Sequence, residues 1–115
     1  MIYTENDVVT DIRENMRGGH GKIKLEHMLS GGALPPNTRL CAKITIAPGD
    51  SLGEHPHVGE TEIYIFIEGK GKVTDDGMTI SVKPGYVMTT GSGHTHSVLN
   101  DGDEDLVFLA LIITE

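Results

Sequence analysis

The chain has 115 residues, which fits one domain, and its 17 acidic and 9 basic residues give a formal net charge of −8. Such an acidic chain offers no basic patch to neutralise phosphates, so neither nucleic acid nor an anionic membrane surface is expected as a partner. No apolar run reaches the roughly 18 residues of a membrane span, the first residues lack the pattern of a signal peptide, and the single cysteine, Cys41, excludes an internal disulfide, so a cytoplasmic location is expected.

The first segment, residues 1–21, is predicted to be an N-terminal arm, and residues 22–115 are predicted to form the main domain. Apolar residues in the arm fall at helical spacing, which is compatible with a short helix. An extended arm that packs on a neighbouring subunit is the alternative. The apolar positions are Val8, Val9, Ile12 and Met16.

From Lys22 onward the apolar pattern changes to a period of two. About eight or nine short segments of this kind alternate with turns rich in Gly, Pro and Asp, at spacings near ten residues. This pattern predicts an all-β sandwich or barrel. The segments that define the strands most clearly are 22–27, 39–47, 62–67, 71–74, 78–82, 86–90, 94–99 and 105–114.

Two of these predicted strands, 62–67 and 105–114, are apolar on both faces. One face can line the interior of a barrel. The other face needs cover from a second sheet, an arm or another subunit. A homodimer is therefore expected.

A candidate metal site lies between Gly49 and Gly69. His55 and His57 are two residues apart, so in a strand both imidazoles point to one face. Glu62 begins the next strand, and a turn between the segments can bring its carboxylate beside them. Two imidazoles and a carboxylate suit Zn, Fe, Mn, Ni or Cu; the alternative is a surface loop with two solvated histidines.

A second pair of histidines, His94 and His96, repeats the two-residue spacing after another strand and turn. Either of them can complete a site of three histidines and one glutamate. The repetition of the spacing favours a metal site over solvated histidines.

The first histidine stretch matches a family motif. The cupins are small jelly-roll proteins whose first motif has a Gly, five residues, His-x-His, three or four residues, Glu, six residues and a Gly. Here Gly49, His55, His57, Glu62 and Gly69 fit every spacing, so the chain resembles the cupins.

The second cupin motif is also present, with one departure. Gly85, Gly93, His96 and Asn100 stand at the motif positions, whereas Gly91 replaces the usual Pro of a turn. The resemblance covers roughly residues 38–113 and implies a double-stranded β-helix barrel of cupin type.

The resemblance further implies that one divalent transition metal (Mn, Fe, Zn, Ni or Cu) is bound by His55, His57, Glu62 and His96. In six-coordinate geometry this set leaves two positions open for water, O2 or a chelating ligand. His94 is not a motif ligand, and it is predicted either beside the site or in a solvated turn.

Three residues are candidates for a catalytic role. Tyr64 shares strand parity with Glu62 and could touch a substrate, but the pattern favours core filling. His94 could face the substrate, and Glu60 could act as a general base, with a solvated surface carboxylate as the alternative. Arg39 or Lys43 could pair with a substrate carboxylate.

The predicted function is that of a metal-dependent enzyme acting on a small oxygen-rich molecule, through dioxygenase or decarboxylase chemistry. The alternatives are a non-catalytic module that binds a metal and a small ligand, and a metal-dependent sugar isomerase. The expected ligand is thus a small acid, a diol or a sugar. Cupins that degrade oxalate carry an Arg three residues before the first motif His, and Leu52 stands there in this chain, which argues against oxalate turnover.

Overall fold

The protein is built almost wholly of short β-strands, as the sequence predicts. A computed structural model describes all of residues 1–115. It contains three short 3₁₀ turns, and no helix has the length and hydrophobicity that a bilayer crossing requires. The ten strands are β1 Val9–Glu14, β2 Lys22–Leu29, β3 Thr38–Ile46, β4 Ser51–Pro56, β5 Glu60–Glu68, β6 Gly71–Asp75, β7 Met78–Val82, β8 Val87–Thr90, β9 Thr95–Leu99 and β10 Leu106–Thr114.

The strands form two antiparallel sheets, in the arrangement of a jelly roll. The larger sheet has the order β1-β2-β3-β10-β5-β8, and the smaller has the order β4-β9-β6-β7. The core is one cluster of 14 buried side chains that draws on both sheets, with Phe66 and Phe108 on one side and Val73 and Val98 on the other. Burial of this apolar surface is the main force that holds the two sheets together.

Strand β5 shows how the alternating pattern sorts side chains between the two faces. Glu62, Tyr64 and Phe66 are buried on the inner face, while Ile63 and Ile65 are half-buried on the outer face. The outer faces therefore keep apolar side chains partly exposed, which is compatible with the homodimer that the sequence predicts. That dimer stays a prediction.

The N-terminal segment is extended and not helical. Strand β1 pairs with β2 of its own chain, with Ile12 opposite Lys24. Three of its six residues, Val9, Thr10 and Ile12, are β-branched, which favours a strand, and β2 offers a free edge to pair with. The helical spacing of the apolar residues does not correspond to a buried helix face in the structure, because the side chains of Val9 and Ile12 are both exposed.

The last glycine of the first motif has a structural reason. Gly69 has φ of 75°, a left-handed conformation that side chains with a Cβ rarely adopt. A Cβ at this position would also lie 2.2 Å from the carbonyl oxygen of Asp105. The turn after β5 can therefore pass against the start of β10 only with glycine at this point.

Candidate metal centre

Four side chains from three strands meet in the interior. His55 on β4 lies directly opposite His96 on β9 within the smaller sheet. Glu62 enters from β5 of the larger sheet, and His57 follows the end of β4 by one residue. All four are buried, with exposed fractions between 1% and 7%. The site thus bridges the two sheets at one end of the barrel.

The ligand atoms of these residues converge on one point. The Nε2 atom of His96 lies 3.0 Å from that of His55 and 3.1 Å from that of His57. The Oε1 atom of Glu62 lies 2.9 Å from His57 Nε2 and 3.0 Å from His96 Nε2. One ligand atom from each residue falls within 4.8 Å of all the others. This cluster is compact enough to surround a single ion.

The hydrogen bonds on the outer ring nitrogens identify the tautomers. The Nδ1 atom of His55 is 2.8 Å from the carbonyl oxygen of Gly53, and the Nδ1 atom of His57 is 2.8 Å from Glu60 Oε1. Because a carbonyl and a carboxylate can only accept, both Nδ1 atoms must donate. The inner Nε2 atoms then present lone pairs in the neutral imidazoles. Burial also lowers the pKa of His55, which favours that neutral form.

Glu62 also presents a lone pair, and His96 does so with the Thr90 hydroxyl as the acceptor of its Nδ1 proton. The Nδ1 atom of His96 is 2.8 Å from Thr90 Oγ1, which can accept its proton. The Oε1 atom of Glu62 is buried and accepts no hydrogen bond from any donor. Lone pairs that face one another at about 3 Å repel unless a cation lies between them. Three imidazoles and one carboxylate therefore fit a divalent transition metal.

Residues 42–112 match the family model described as Cupin domain. The chain belongs to the cupin family. The oxalate-binding protein of Thermotoga maritima is 41% identical to this cupin over 113 residues, covering 98% of this chain and 93% of that protein. A crystal structure of a predicted oxalate decarboxylase from Thermotoga maritima is 40% identical, with a TM-score of 0.93 and full coverage of both chains. A putative sugar phosphate isomerase from Acidithiobacillus ferrooxidans is 26% identical, with a TM-score of 0.71, covering 82% of this chain and 60% of that one.

Glu60 contacts the candidate ligand His57 on the side of the imidazole that faces away from the cluster. Its Oε1 atom accepts hydrogen bonds from His57 Nδ1 at 2.8 Å and from Arg39 Nη2 at 2.7 Å. Its Oε2 atom accepts a third hydrogen bond, from Arg39 Nε at 2.8 Å. The guanidinium of Arg39 and the imidazole of His57 lower the pKa of Glu60 to about 2. A carboxylate held in this way orients His57 and is a weak base, so the geometry favours a positioning role over general-base catalysis.

Replacing Glu60 by glutamine is expected to weaken metal binding about tenfold, because the His57 ring loses its charged acceptor. The dissociation constant for Zn(II) or Mn(II), measured by competition with a chromogenic chelator, checks this. Glu54→Gln is the matched control, since Glu54 is exposed on β4 and the same charge is removed. Equal affinities in the two variants would contradict the positioning role.

The remaining two catalytic candidates are placed differently. Tyr64 is buried against the cluster, its hydroxyl 3.4 Å from His96 Nε2 and its ring stacked on the His96 imidazole. Burial raises the pKa of Tyr64 well above its usual range, so its hydroxyl stays protonated. His94, in the turn before β9, is exposed and pairs with the carboxylate of Asp76. Only Tyr64 shares a cavity with the cluster.

That cavity has a volume of about 90 Å³, and three of the four candidate ligands, His55, His57 and Glu62, line it. Leu52 lines its wall, and Arg13, Arg17 and Arg39 supply its charged lining. Arg39 is a candidate from the sequence, but the other two arginines lie in the N-terminal segment, far in sequence from either motif. Lys43 lies outside the cavity and within 3.7 Å of a glutamate on β2.

Proposed function

We propose that this cupin binds one divalent transition metal through His55, His57, Glu62 and His96, and that the metal holds a small carboxylic acid. The observation that carries the proposal is the convergence of four buried ligand atoms, with three of the four residues lining a cavity. When bound, a metal in six-coordinate geometry would offer two further positions to the oxygens of a chelating acid. The chain supplies the neutral imidazoles and the carboxylate that such binding needs.

The choice of an acid as the ligand rests on the relatives and on the cavity. A protein that is 41% identical over nearly the whole chain carries the name oxalate-binding protein. The cavity of about 90 Å³ is small beside the roughly 300–1,000 Å³ of sites for drug-sized ligands, which favours a ligand of a few non-hydrogen atoms over a sugar phosphate. Leu52 supplies no charge, so a cation that pairs with the acid has to come from another part of the cavity wall.

Oxalate is expected to bind to the metal-loaded protein and not to the metal-free protein. Isothermal titration of each form, with Mn(II) as the first metal and Fe(II), Zn(II), Ni(II) and Cu(II) in parallel, checks this. Oxalate at about 100 times its dissociation constant should stabilise the loaded protein by about 2.7 kcal/mol, visible as a rise in Tm. Equal oxalate binding without metal would contradict the proposal, as would glucose 6-phosphate binding more tightly than oxalate.

Decarboxylation is the second candidate, because Tyr64 offers a protonated hydroxyl to the cavity. The relative of known structure is described as a predicted oxalate decarboxylase. The net reaction would break the carbon–carbon bond of oxalate and place a proton on one fragment, giving formate and CO2 with no net oxidation. Formate release from the loaded protein, lost in Tyr64→Phe, would support catalysis. Oxalate binding without formate release or oxygen uptake would leave a binding protein.

A further inference from the structure

All three arginines of this chain line the cavity beside the candidate metal centre. They are Arg13 on β1, Arg17 in the turn after β1 and Arg39 on β3. None of the six lysines lines it. The net charge of the chain is −8, yet all of its guanidinium groups lie around this one cavity. Guanidinium forks match the geometry of carboxylates better than ammonium groups do.

Two of these arginines are already paired with carboxylates of the chain. Arg39 holds Glu60 through two hydrogen bonds of 2.7 and 2.8 Å. Arg13 donates to Asp11 at 2.8 Å. Arg17 forms no ion pair and no side-chain hydrogen bond, although its charge is close enough to oppose, in part, the effect of burial on the pKa of Tyr64. Arg17 is therefore the uncommitted cation of the cavity.

The turn that carries Arg17 is held in place by its surroundings. Arg17 has φ of 55° and ψ of 29°, a left-handed conformation that is strained for a residue with a side chain. Met16 packs against the core, and the Gly19 amide donates to the Met16 carbonyl at 2.9 Å. A Cβ at Gly53 would lie 2.1 Å from the Arg17 carbonyl oxygen, so this turn lies directly on the backbone of β4. The strained residue is held by packing on both sides.

The charges at the cavity match a ligand that carries two negative charges. A divalent metal with the carboxylate of Glu62 keeps one positive charge, and Arg17 adds a second. The charges of Arg13 and Arg39 are balanced by Asp11 and Glu60. A dicarboxylate neutralises both remaining charges, whereas a monocarboxylate leaves one of them without a partner.

We propose that Arg17 binds the carboxylate oxygens that face away from the metal in a chelated small dicarboxylate, and thereby selects dicarboxylates over monocarboxylates of similar size. The inference rests on the proposed metal-dependent binding of an acid and adds the residue that recognises the second carboxylate. Arg17 is an exposed residue that lines the cavity, and two parallel hydrogen bonds from its guanidinium to carboxylate oxygens would provide both the attraction and the orientation.

The test compares oxalate with glycolate, which can chelate a metal through its carboxylate and hydroxyl but carries no second carboxylate. Both are titrated into Mn(II)-loaded protein by calorimetry. Arg17→Gln should weaken oxalate binding at least about tenfold and glycolate binding less than about threefold. Lys70→Gln removes the same charge outside the cavity, at the turn after β5, and should leave both dissociation constants unchanged. Metal content and far-ultraviolet circular dichroism should equal those of the wild type.

Arg17→Lys provides a second variant, which keeps the charge and loses the planar fork. It should lower the preference for oxalate over glycolate, and it serves as the test variant if Arg17→Gln loses structure. An unchanged preference in the variant that folds would overturn the role of Arg17 while the proposed function stands. Failure of the loaded wild-type protein to bind oxalate would instead overturn the proposed function, and this inference with it.

Discussion

His57→Ala is expected to lose metal affinity by more than about a hundredfold while the barrel stays folded. The Nε2 atom of His57 lies 2.9 Å from Glu62 Oε1 and 3.1 Å from His96 Nε2, so its removal opens the cluster. Loss of a residue that only orients a ligand already costs 10–100-fold, and loss of the ligand itself should cost more. The fold should persist because the apolar core of 14 side chains does not include His57.

The measurement is the ratio of metal to protein by inductively coupled plasma mass spectrometry, after dialysis against metal-free buffer. His94→Ala is the matched control, because His94 is exposed, pairs with Asp76 and lies two residues from a candidate ligand. It should retain the metal of the wild type. Added metal should raise the Tm of His94→Ala and leave that of His57→Ala unchanged. Full metal content in His57→Ala would refute the four-residue centre.

Asn100→Ala is expected to destabilise the protein by about 3 kcal/mol. Asn100 is fully buried, and its Nδ2 atom donates to the Ile46 and Glu104 carbonyls at 2.8 and 2.7 Å. Its Oδ1 atom accepts the Gly102 amide at 3.0 Å. Alanine removes all three bonds, and each lost bond of this kind costs about 1 kcal/mol or more. The second-motif asparagine thus holds a turn and is not part of the candidate metal centre.

Urea unfolding checks this prediction, as a lower midpoint with an unchanged slope. Asn6→Ala is the control, because Asn6 is exposed and its side chain makes no hydrogen bond. It should change the unfolding free energy by less than about 0.5 kcal/mol. A loss below about 1 kcal/mol in Asn100→Ala would show that water replaces the side chain in this turn.

The strands and the candidate ligands could be predicted from the sequence because both depend on short-range spacing. The alternation in β5 places Glu62 and Tyr64 on one inner face, and the His-x-His spacing brings His55 and His57 to one side of the chain. Spacing alone could not choose between His94 and His96. The choice of His96 came from the family motif. In the structure His96 belongs to the buried cluster, whereas His94 lies before β9 and is exposed.

The surroundings of the site depended on contacts between distant segments. The N-terminal residues have helical spacing, yet the free edge of β2 makes them a strand, and this pairing carries Arg13 and Arg17 to the cavity. Arg39 and Glu60 are 21 residues apart and meet only because their strands flank β10 on either side. Short-range periodicity thus determined the strands and the ligand spacing of this cupin. Only the tertiary structure decided which charges surround the candidate ligands. Strand pairing and the close contact of Gly53 with the turn at Arg17 bring together residues that are far apart in sequence, and no local pattern predicts such contacts.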